Sequence, residues 1–155
     1  MPPQVLVPIA EGTEEIEAVC IIDVLRRAGA AVTVASVMPR QQITAARGVV
    51  IVADTLIGDC VDLDFDLVAL PGGIPGAEHL RDSDELAGIL KRQVEKRHLM
   101  GAVCASPAVV LAHHGLLADR QATCHPAFME RLTCARRLED RVVVDGNVVT
   151  SRGAG

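Results

Sequence analysis

The sequence predicts an α/β domain with a mostly parallel sheet and helices on both faces. Short apolar segments rich in β-branched residues alternate with longer helical segments, which is the pattern of parallel strands joined by crossover helices. The chain has 155 residues, 50% of them hydrophobic and 23% charged. A chain of this size and composition can bury its own core and is not intrinsically disordered. We interpret residues 1–155 as a single domain.

The predicted elements follow in chain order, beginning with a buried strand over Gln4–Ile9. Glu14–Ala28 predicts a helix, because acids occupy its first turn, arginines its last turn, and Gly29 follows as a left-handed cap. A second helix begins at Asp82 or Ser83, where Asp82 and Glu85 have capping-box spacing, and it continues to about Lys96. A short third helix is predicted over Ser106–His114. Further strands are predicted over Ala31–Val37, Gly48–Ala53 (in an antiparallel excursion), Asp66–Leu70, Leu99–Val103, Gln121–Cys124, Arg141–Val144 and Asn147–Thr150.

Composition excludes several classes of function. The net charge of −5 and the absence of Trp and Tyr argue against nucleic-acid binding, which needs basic patches and stacking aromatics. The five cysteines contain no C-x-x-C pair, and we expect free thiols, no metal and no cofactor. The N-terminus is not a secretory signal, and no apolar segment approaches 18 residues. We therefore expect a cytoplasmic protein without a membrane partner.

Cys104 is the strongest candidate for chemistry. The strand Leu99–Val103 leads directly into Cys104, and a helix follows without a loop, as in the strand-to-helix elbows that expose a nucleophile. A helix N-terminus favours the thiolate, so we expect the pKa of the Cys104 thiol to fall below about 8.5. The alternative is a buried core cysteine, which is a common fate of free Cys.

Glu17 and His125 are the next candidates. On a helix, three of the four neighbours of Glu17 at i−4, i+3, i+4 and i+7 are apolar, so Glu17 is expected to be buried, unlike Glu14 and Glu15. A carboxyl in an apolar site can stay protonated and donate to a thiolate; the alternative is a first-turn glutamate in solvent. His125 lies in a turn after a short strand, where it is either a catalytic group or an ordinary turn histidine.

Gly73 and Ala105 could supply backbone donors. The segment Gly72–Gly76 follows a strand but lacks the Lys-Ser/Thr of a phosphate-binding loop. A better interpretation is that the N–H of Gly73 and the N–H of Ala105 together form an oxyanion hole beside Cys104.

Four ordered motifs resemble the ThiJ/PfpI superfamily, in its branch that contains the Parkinson-disease-associated protein deglycase and glutathione-independent glyoxalases. They are EGTEEIEAV, DLVALPGGIPGAEHLRDS, AVCASP and ATCHP, and VVVDGNVVTSRGAG matches the late hairpin. The resemblance implies a flavodoxin-like three-layer sandwich and a homodimer. It also implies Cys104 as nucleophile and oxidation-sensitive thiol, Glu17 as the protonated carboxyl against it, and His125 nearby.

The leading hypothesis for function is a cysteine-dependent glyoxalase or deglycase. Cys104 would attack an α-oxoaldehyde of the methylglyoxal type, or a glycated protein, while Glu17 and His125 move protons. The alternatives are a redox sensor or chaperone that uses the same cysteine, a binding module without chemistry, and a cysteine peptidase or amidotransferase. A peptidase of this superfamily has His directly after the nucleophile, where this chain has Ala105.

Two departures from the family pattern concern Ser106 and the C-terminus. Ser106 stands where the branch usually has Gly, so the elbow is expected to differ slightly. The family continues past the SRGxG turn into a helix that covers one face of the sheet. Because an α/β sheet needs cover on both faces, we expect a native product with a further helix of about 20 to 35 residues.

Overall fold

A seven-stranded sheet forms the centre of the computed structural model, which describes residues 1–133 and 135–154. The strands are β1 (Gln4–Ile9), β2 (Ala31–Ser36), β3 (Gln42–Thr44), β4 (Val50–Val52), β5 (Thr55–Leu56), β6 (Leu67–Leu70), β7 (Leu99–Val103), β8 (Gln121–Ala122), β9 (Arg136–Arg137), β10 (Val142–Asp145) and β11 (Val148–Ser151). Across the central sheet the order is β10-β11-β7-β6-β1-β2-β5, and only β10 runs antiparallel to its neighbour.

Helices lie on both faces of this sheet, which confirms the predicted fold class. They are α1 (Glu15–Arg27), α2 (Gly76–Arg81) and α3 (Asp84–Lys96), with 3₁₀ turns at Ile57–Cys60 and Pro126–Arg131 and a π-helical segment at Pro107–Ala112. Successive side chains of β1 pack in two different hydrophobic cores, one on each face of the sheet. Val5 and Val7 pack on the α1 side, whereas Leu6 packs on the side of α3 and the π-helical segment. This two-sided burial is why the strand is almost wholly apolar.

Two short strand pairs lie outside the central sheet. The antiparallel excursion is confirmed, since β3 pairs with β4 antiparallel. The segment predicted as a strand over Gln121–Cys124 is shorter than expected, because only Gln121 and Ala122 pair, in parallel with β9. After Ala122, the N–H of Thr123 donates to the side-chain Oγ1 of Thr150 at 3.0 Å instead of to the main chain of a paired strand.

The capping box predicted at Asp82 does not form. Ser83 is the N-cap of α3, and its Oγ accepts from the N–H of Leu86 at 3.2 Å. Asp82 ends α2 instead, and its carboxylate pairs with Arg81 at 2.8 Å. The sequence could not distinguish the two residues, because the short helix α2 directly before them was not predicted.

The expected solvent exposure of Glu15 is also wrong. Glu15 is only 7% exposed, and both of its carboxyl oxygens are buried without a hydrogen-bond partner among the described residues. The turn that precedes α1 is hydrogen-bonded to the β3–β4 excursion, since the N–H of Ala46 donates to the carbonyl of Thr13 at 2.8 Å. Ala45 and Ala53 of the excursion belong to the same hydrophobic core as Ala18 of α1. Helical periodicity within α1 carries no information on this tertiary neighbour.

One strip of the α1 face of the sheet is open. Leu99, Val142 and Val149 are exposed there, beside a cavity of about 770 Å³ that α1 borders through Cys20 and Val24. The further helix expected from the sequence stays a prediction. Among the described residues, no helix is long and apolar enough to cross a membrane.

The carboxyl ends of four neighbouring strands bring the candidate residues together. β1, β6, β7 and β11 are adjacent and parallel, so the segments that follow them meet at one edge of the sheet. In open α/β sheets this edge is where ligands bind.

Candidate active site

Cys104 lies at a strained elbow between β7 and the π-helical segment. Its φ of 61° is in the left-handed region, which a residue with a Cβ adopts at a cost of about 1–3 kcal/mol. Two main-chain hydrogen bonds maintain this conformation: the N–H of Cys104 donates to the carbonyl of Ser151 at 3.0 Å, and the N–H of His125 donates to the carbonyl of Cys104 at 2.7 Å. The predicted elbow is therefore confirmed as a backbone feature.

Two glycines make room for the Cys104 and Glu17 side chains. A Cβ on Gly72 would lie 2.7 Å from Cβ of Cys104 and 2.8 Å from Oε1 of Glu17. A Cβ on Gly153, whose φ is +99°, would lie 2.6 Å from the same Cβ and 2.7 Å from Oε2 of Glu17. Since real Cβ atoms do not approach this closely, both positions require glycine. Gly153 was expected only as part of a turn into a further helix, so its place in this site was missed.

Glu17 is buried beside Cys104, as its position on the apolar face of α1 predicted. It is 6% exposed, and its carboxyl is hydrogen-bonded to the Cys104 thiol. Its Oε1 accepts from the N–H of Gly72 at 3.0 Å, and its Oε2 accepts from the N–H of Ala154 at 3.2 Å. Loops that follow β6 and β11 thus orient the carboxyl toward the sulfur.

The expected low pKa of the Cys104 thiol is wrong in this environment. Burial and the adjacent charge of Glu17 raise the pKa of Cys104 to about 12, although hydrogen bonds from Ala105 and Gly73 lower it. The sequence shows the helix N-terminus, which lowers the pKa of a thiol. The burial of the Cys104 sulfur and the neighbouring Glu17 carboxylate, which raise that pKa, arise only in the tertiary structure. A thiolate at Cys104 therefore requires that the proton pass to Glu17 rather than that both groups be charged.

The backbone donors predicted at Gly73 and Ala105 lie at the sulfur. Both N–H groups hydrogen-bond the Cys104 side chain. Gly73 reaches this position with a φ of +94°, and Ala105 reaches it as the next residue after the elbow. The two donors point at the place where negative charge would develop on the sulfur or on an attached oxygen.

His125 contacts Cys104 through the main chain, and its ring faces the same pocket. Its Nδ1 accepts from the N–H of Ala127 at 3.1 Å, which fixes the proton of the neutral ring on Nε2. The ring packs edge-on against Phe128, with centroids 6.0 Å apart. In this tautomer the outer nitrogen can donate a hydrogen bond but cannot accept one.

A cavity of about 500 Å³ opens above these residues. Besides the predicted Cys104, Glu17, His125, Gly73 and Ala105, it is lined by Glu14, Ile16, Ala46, Arg47, Ile74, Phe128 and Ala154. Of these, Phe128 could have been found from its spacing of three residues after His125 in a helical turn. Within residues 1–133 and 135–154, no three His, Cys, Asp or Glu side chains converge as ligands for a metal ion.

Comparison with known proteins supports the resemblance seen in the sequence. The model of the DJ-1/PfpI family matches residues 3–155. Protein DJ-1 homolog B of Arabidopsis thaliana is 50% identical over 153 residues, and the match covers 99% of this chain but only 35% of that relative. The glutathione-independent glyoxalase DJR-1.2 of Caenorhabditis elegans is 38% identical over 94% of this chain and 77% of its own length. Among solved structures, oxidized Toxoplasma gondii DJ-1 superposes with a TM-score of 0.95 at 49% identity, covering 97% of this chain and 82% of that one.

Proposed function

Because the chain belongs to the DJ-1/PfpI family, we propose that it is a glutathione-independent glyoxalase whose nucleophile is Cys104. The observation that carries this proposal is the Cys104 sulfur, which faces a buried carboxyl and two backbone donors in a cavity open to small molecules. A relative named for this activity lends further support. The substrate is an α-oxoaldehyde, R–CO–CHO, and the product is the corresponding 2-hydroxy acid.

In the first step the sulfur of Cys104 attacks the aldehyde carbon. A C–S bond forms, the thiol proton passes to Glu17, and the aldehyde oxygen becomes an oxyanion. The N–H groups of Gly73 and Ala105 stabilise the developing charge, and Nε2 of His125 is a nearby hydrogen-bond donor to it. The proton held by Glu17 then passes to this oxygen, which restores the Glu17 carboxylate. The result is a hemithioacetal.

In the second step the hydrogen on the former aldehyde carbon moves to the neighbouring carbon. The Glu17 carboxylate takes it as a proton, and the electron pair forms an enediol with the adjacent carbonyl. Reprotonation on the neighbouring carbon leaves a thioester on Cys104. Water then cleaves the C–S bond, which returns the thiol and releases the acid, so the sum is R–CO–CHO plus H₂O to R–CHOH–COOH.

The test is turnover of methylglyoxal without glutathione, followed as lactate formation. Cys104→Ala should abolish it. Cys20→Ala is the matched control, because Cys20 is an exposed thiol on the same helix as Glu17 and outside the cavity. Lactate formation that survives in Cys104→Ala would contradict the proposal.

Oxidative sensing at the same cysteine is a second proposal. Two equivalents of hydrogen peroxide convert the thiol to a sulfinate and two waters, and the donors of Gly73, Ala105 and a protonated Glu17 could bind its oxygens. A structure of an oxidized relative favours this chemistry. Mass spectrometry after peroxide treatment should find two added oxygens on Cys104, and oxidation confined to Cys20 would argue against it.

We also propose that the same nucleophile acts on glycated proteins. The test is whether the protein releases an unmodified peptide from a glycated peptide.

A homodimer is also proposed. Val19 on α1 and Val50 and Val52 on β4 are exposed. The loop before β4 contacts the start of α1, since the N–H of Ala46 donates to the carbonyl of Thr13 at 2.8 Å. Exposed apolar side chains on adjacent elements suit a self-association surface. Sedimentation should give a dimer that Val52→Asp dissociates, and a monomer in the unmutated chain would refute it.

A further inference from the structure

The cavity above Cys104 is larger than the smallest α-oxoaldehydes need. Its volume is about 500 Å³, whereas the five non-hydrogen atoms of methylglyoxal fill roughly 150 Å³ if each takes the volume of a water molecule. A substrate whose carbonyl groups reach the sulfur therefore leaves most of the cavity empty unless its substituent R is larger than methyl.

Three separate segments bring large apolar side chains to this opening. Ile16 comes from the first turn of α1 and is 59% exposed, Ile74 comes from the loop after β6 and is 43% exposed, and half-buried Phe128 comes from the 3₁₀ turn after His125. Grouped exposed apolar side chains around a pocket indicate a binding surface. A substrate without an apolar part would leave these side chains without a packing partner.

Phe128 is held as a wall of the cavity. Its ring lies edge-on to the His125 ring at 6.0 Å and under the Arg131 guanidinium, which is 5.7 Å from the ring centroid. A ring positioned from two sides loses little freedom when a ligand packs against it.

Apart from Glu17, the charged side chains among the described residues that line the cavity are one arginine and one glutamate. Arg47 and Glu14 both line the cavity and face each other at 4.0 Å. Since their charges compensate each other, this pair favours neither an acidic nor a cationic substituent.

From these observations, and on the basis of the proposed function, we infer that the preferred substrates are α-oxoaldehydes with an apolar substituent of three or more carbons. The substituent packs against Ile74 and Phe128 while the aldehyde carbon lies at the Cys104 sulfur. Ile74 and Phe128 are therefore specificity-determining residues, and methylglyoxal is a poor substrate by comparison.

The first experiment measures kcat/KM without glutathione for a series in which R is methyl, propyl, pentyl and phenyl. Full burial of each added methylene should raise kcat/KM about fourfold, so even with partial burial pentyl should exceed methyl by at least about tenfold. Ile74→Ala and Phe128→Ala should reduce that ratio at least about threefold. Leu63→Ala is the control, because Leu63 is similarly exposed at 49% but does not line the cavity. A pentyl-to-methyl ratio of one or less, or a ratio unchanged in both cavity variants, would overturn the inference.

A second experiment separates this inference from the proposed function. Simple aldehydes form a hemithioacetal with a thiol but have no second carbonyl and cannot be turned over. Hexanal should protect Cys104 from iodoacetamide at concentrations at least about tenfold lower than acetaldehyde does, with Cys20 alkylation in the same sample as the internal standard. If no oxoaldehyde is turned over but hexanal protects selectively, the proposed function fails and the apolar subsite stands. Equal protection by both aldehydes would refute the subsite whatever the turnover.

Discussion

The Ser106 hydroxyl donates a 2.6 Å hydrogen bond to the main-chain oxygen of Pro71, and Ser106 is fully buried. This bond joins the segment after the elbow to the loop after β6. Ala105 and Gly73, which supply the two donors to the Cys104 sulfur, lie next to Ser106 and two residues after Pro71. The residue that departs from the family pattern therefore connects the two halves of the donor pair.

Replacement of Ser106 by Ala should lower both stability and turnover. The carbonyl of Pro71 would lose its partner in a buried site, which costs about 1–3 kcal/mol of unfolding free energy, and the donor pair would loosen, so we expect kcat/KM to fall about tenfold. Urea unfolding and glyoxalase kinetics measure the two effects. Ser36→Ala is the matched control, since buried Ser36 bonds the N–H of Met38 through its Oγ away from the cavity. If both variants lose the same fraction of turnover, Ser106 has no positioning role.

Replacement of Gly153 by Ala should abolish activity. The new Cβ would overlap Cβ of Cys104 and Oε2 of Glu17, so the pair must separate, and we expect a loss of at least about a hundredfold in turnover. Gly29→Ala provides the comparison, because Gly29 has a similar φ of +88° with nothing within 4 Å of the new Cβ. It should cost only backbone strain of about 1–3 kcal/mol and keep the activity. Equal activity in the two variants would show that the close contact at Gly153 is unimportant.

The pH dependence of Cys104 alkylation should reveal a proton shared with Glu17. Against a charged Glu17 the pKa of the thiol is about 12, so in the neutral range a thiolate forms by transfer of the proton within the pair, and the fraction formed in this way does not change with pH. The iodoacetamide rate at Cys104 should therefore be nearly flat there and rise only as pH approaches the pKa of about 12.

Glu17→Gln removes the internal acceptor and should change this profile. The thiol must then lose its proton to solvent, so below the thiol pKa of this variant the rate should rise about tenfold per pH unit, while turnover falls at least about a hundredfold. Glu85→Gln, a first-turn glutamate of α3, should keep the flat profile. A tenfold rise per pH unit in the unmutated chain would mean that the thiol titrates independently of Glu17.

The other described cysteines should differ sharply in reactivity. Cys60 and Cys124 are buried and do not line the cavity above Cys104, so the reagent should reach neither thiol before the chain unfolds. Burial also raises the pKa of Cys60 and raises that of Cys124 to about 11, and among the described residues neither has an acceptor such as Glu17 to take its proton. Peptide mass spectrometry near neutral pH should find label on Cys104 first and then on exposed Cys20. Early label on Cys124 would show that the segment around His125 opens. Cys134 lies outside the described residues.

Much of the site could be predicted from local patterns in the sequence. A strand that ends directly at Cys104 requires an elbow, and the apolar neighbours of Glu17 one and two turns away require its burial; both expectations hold in the structure. The predicted donors at Gly73 and Ala105 lie at the sulfur as well. The protonation of the sulfur was mispredicted, because a helix N-terminus is visible in the sequence but the distance between Cys104 and Glu17, 87 positions apart in the chain, is not.

The sequence by itself determined the alternation of strands and helices, because the β-branched apolar segments and the helix caps act over neighbouring residues. Only the tertiary structure decided what those elements place together. The adjacency of β1, β6, β7 and β11 brings Gly72, Gly153 and Ala154 against Glu17, and it sets Ile74 and Phe128 around one cavity. Local periodicity reports which side of an element is apolar, whereas the strand order selects the residues that meet across the sheet edge, and that order depends on the free energy of the whole packed core.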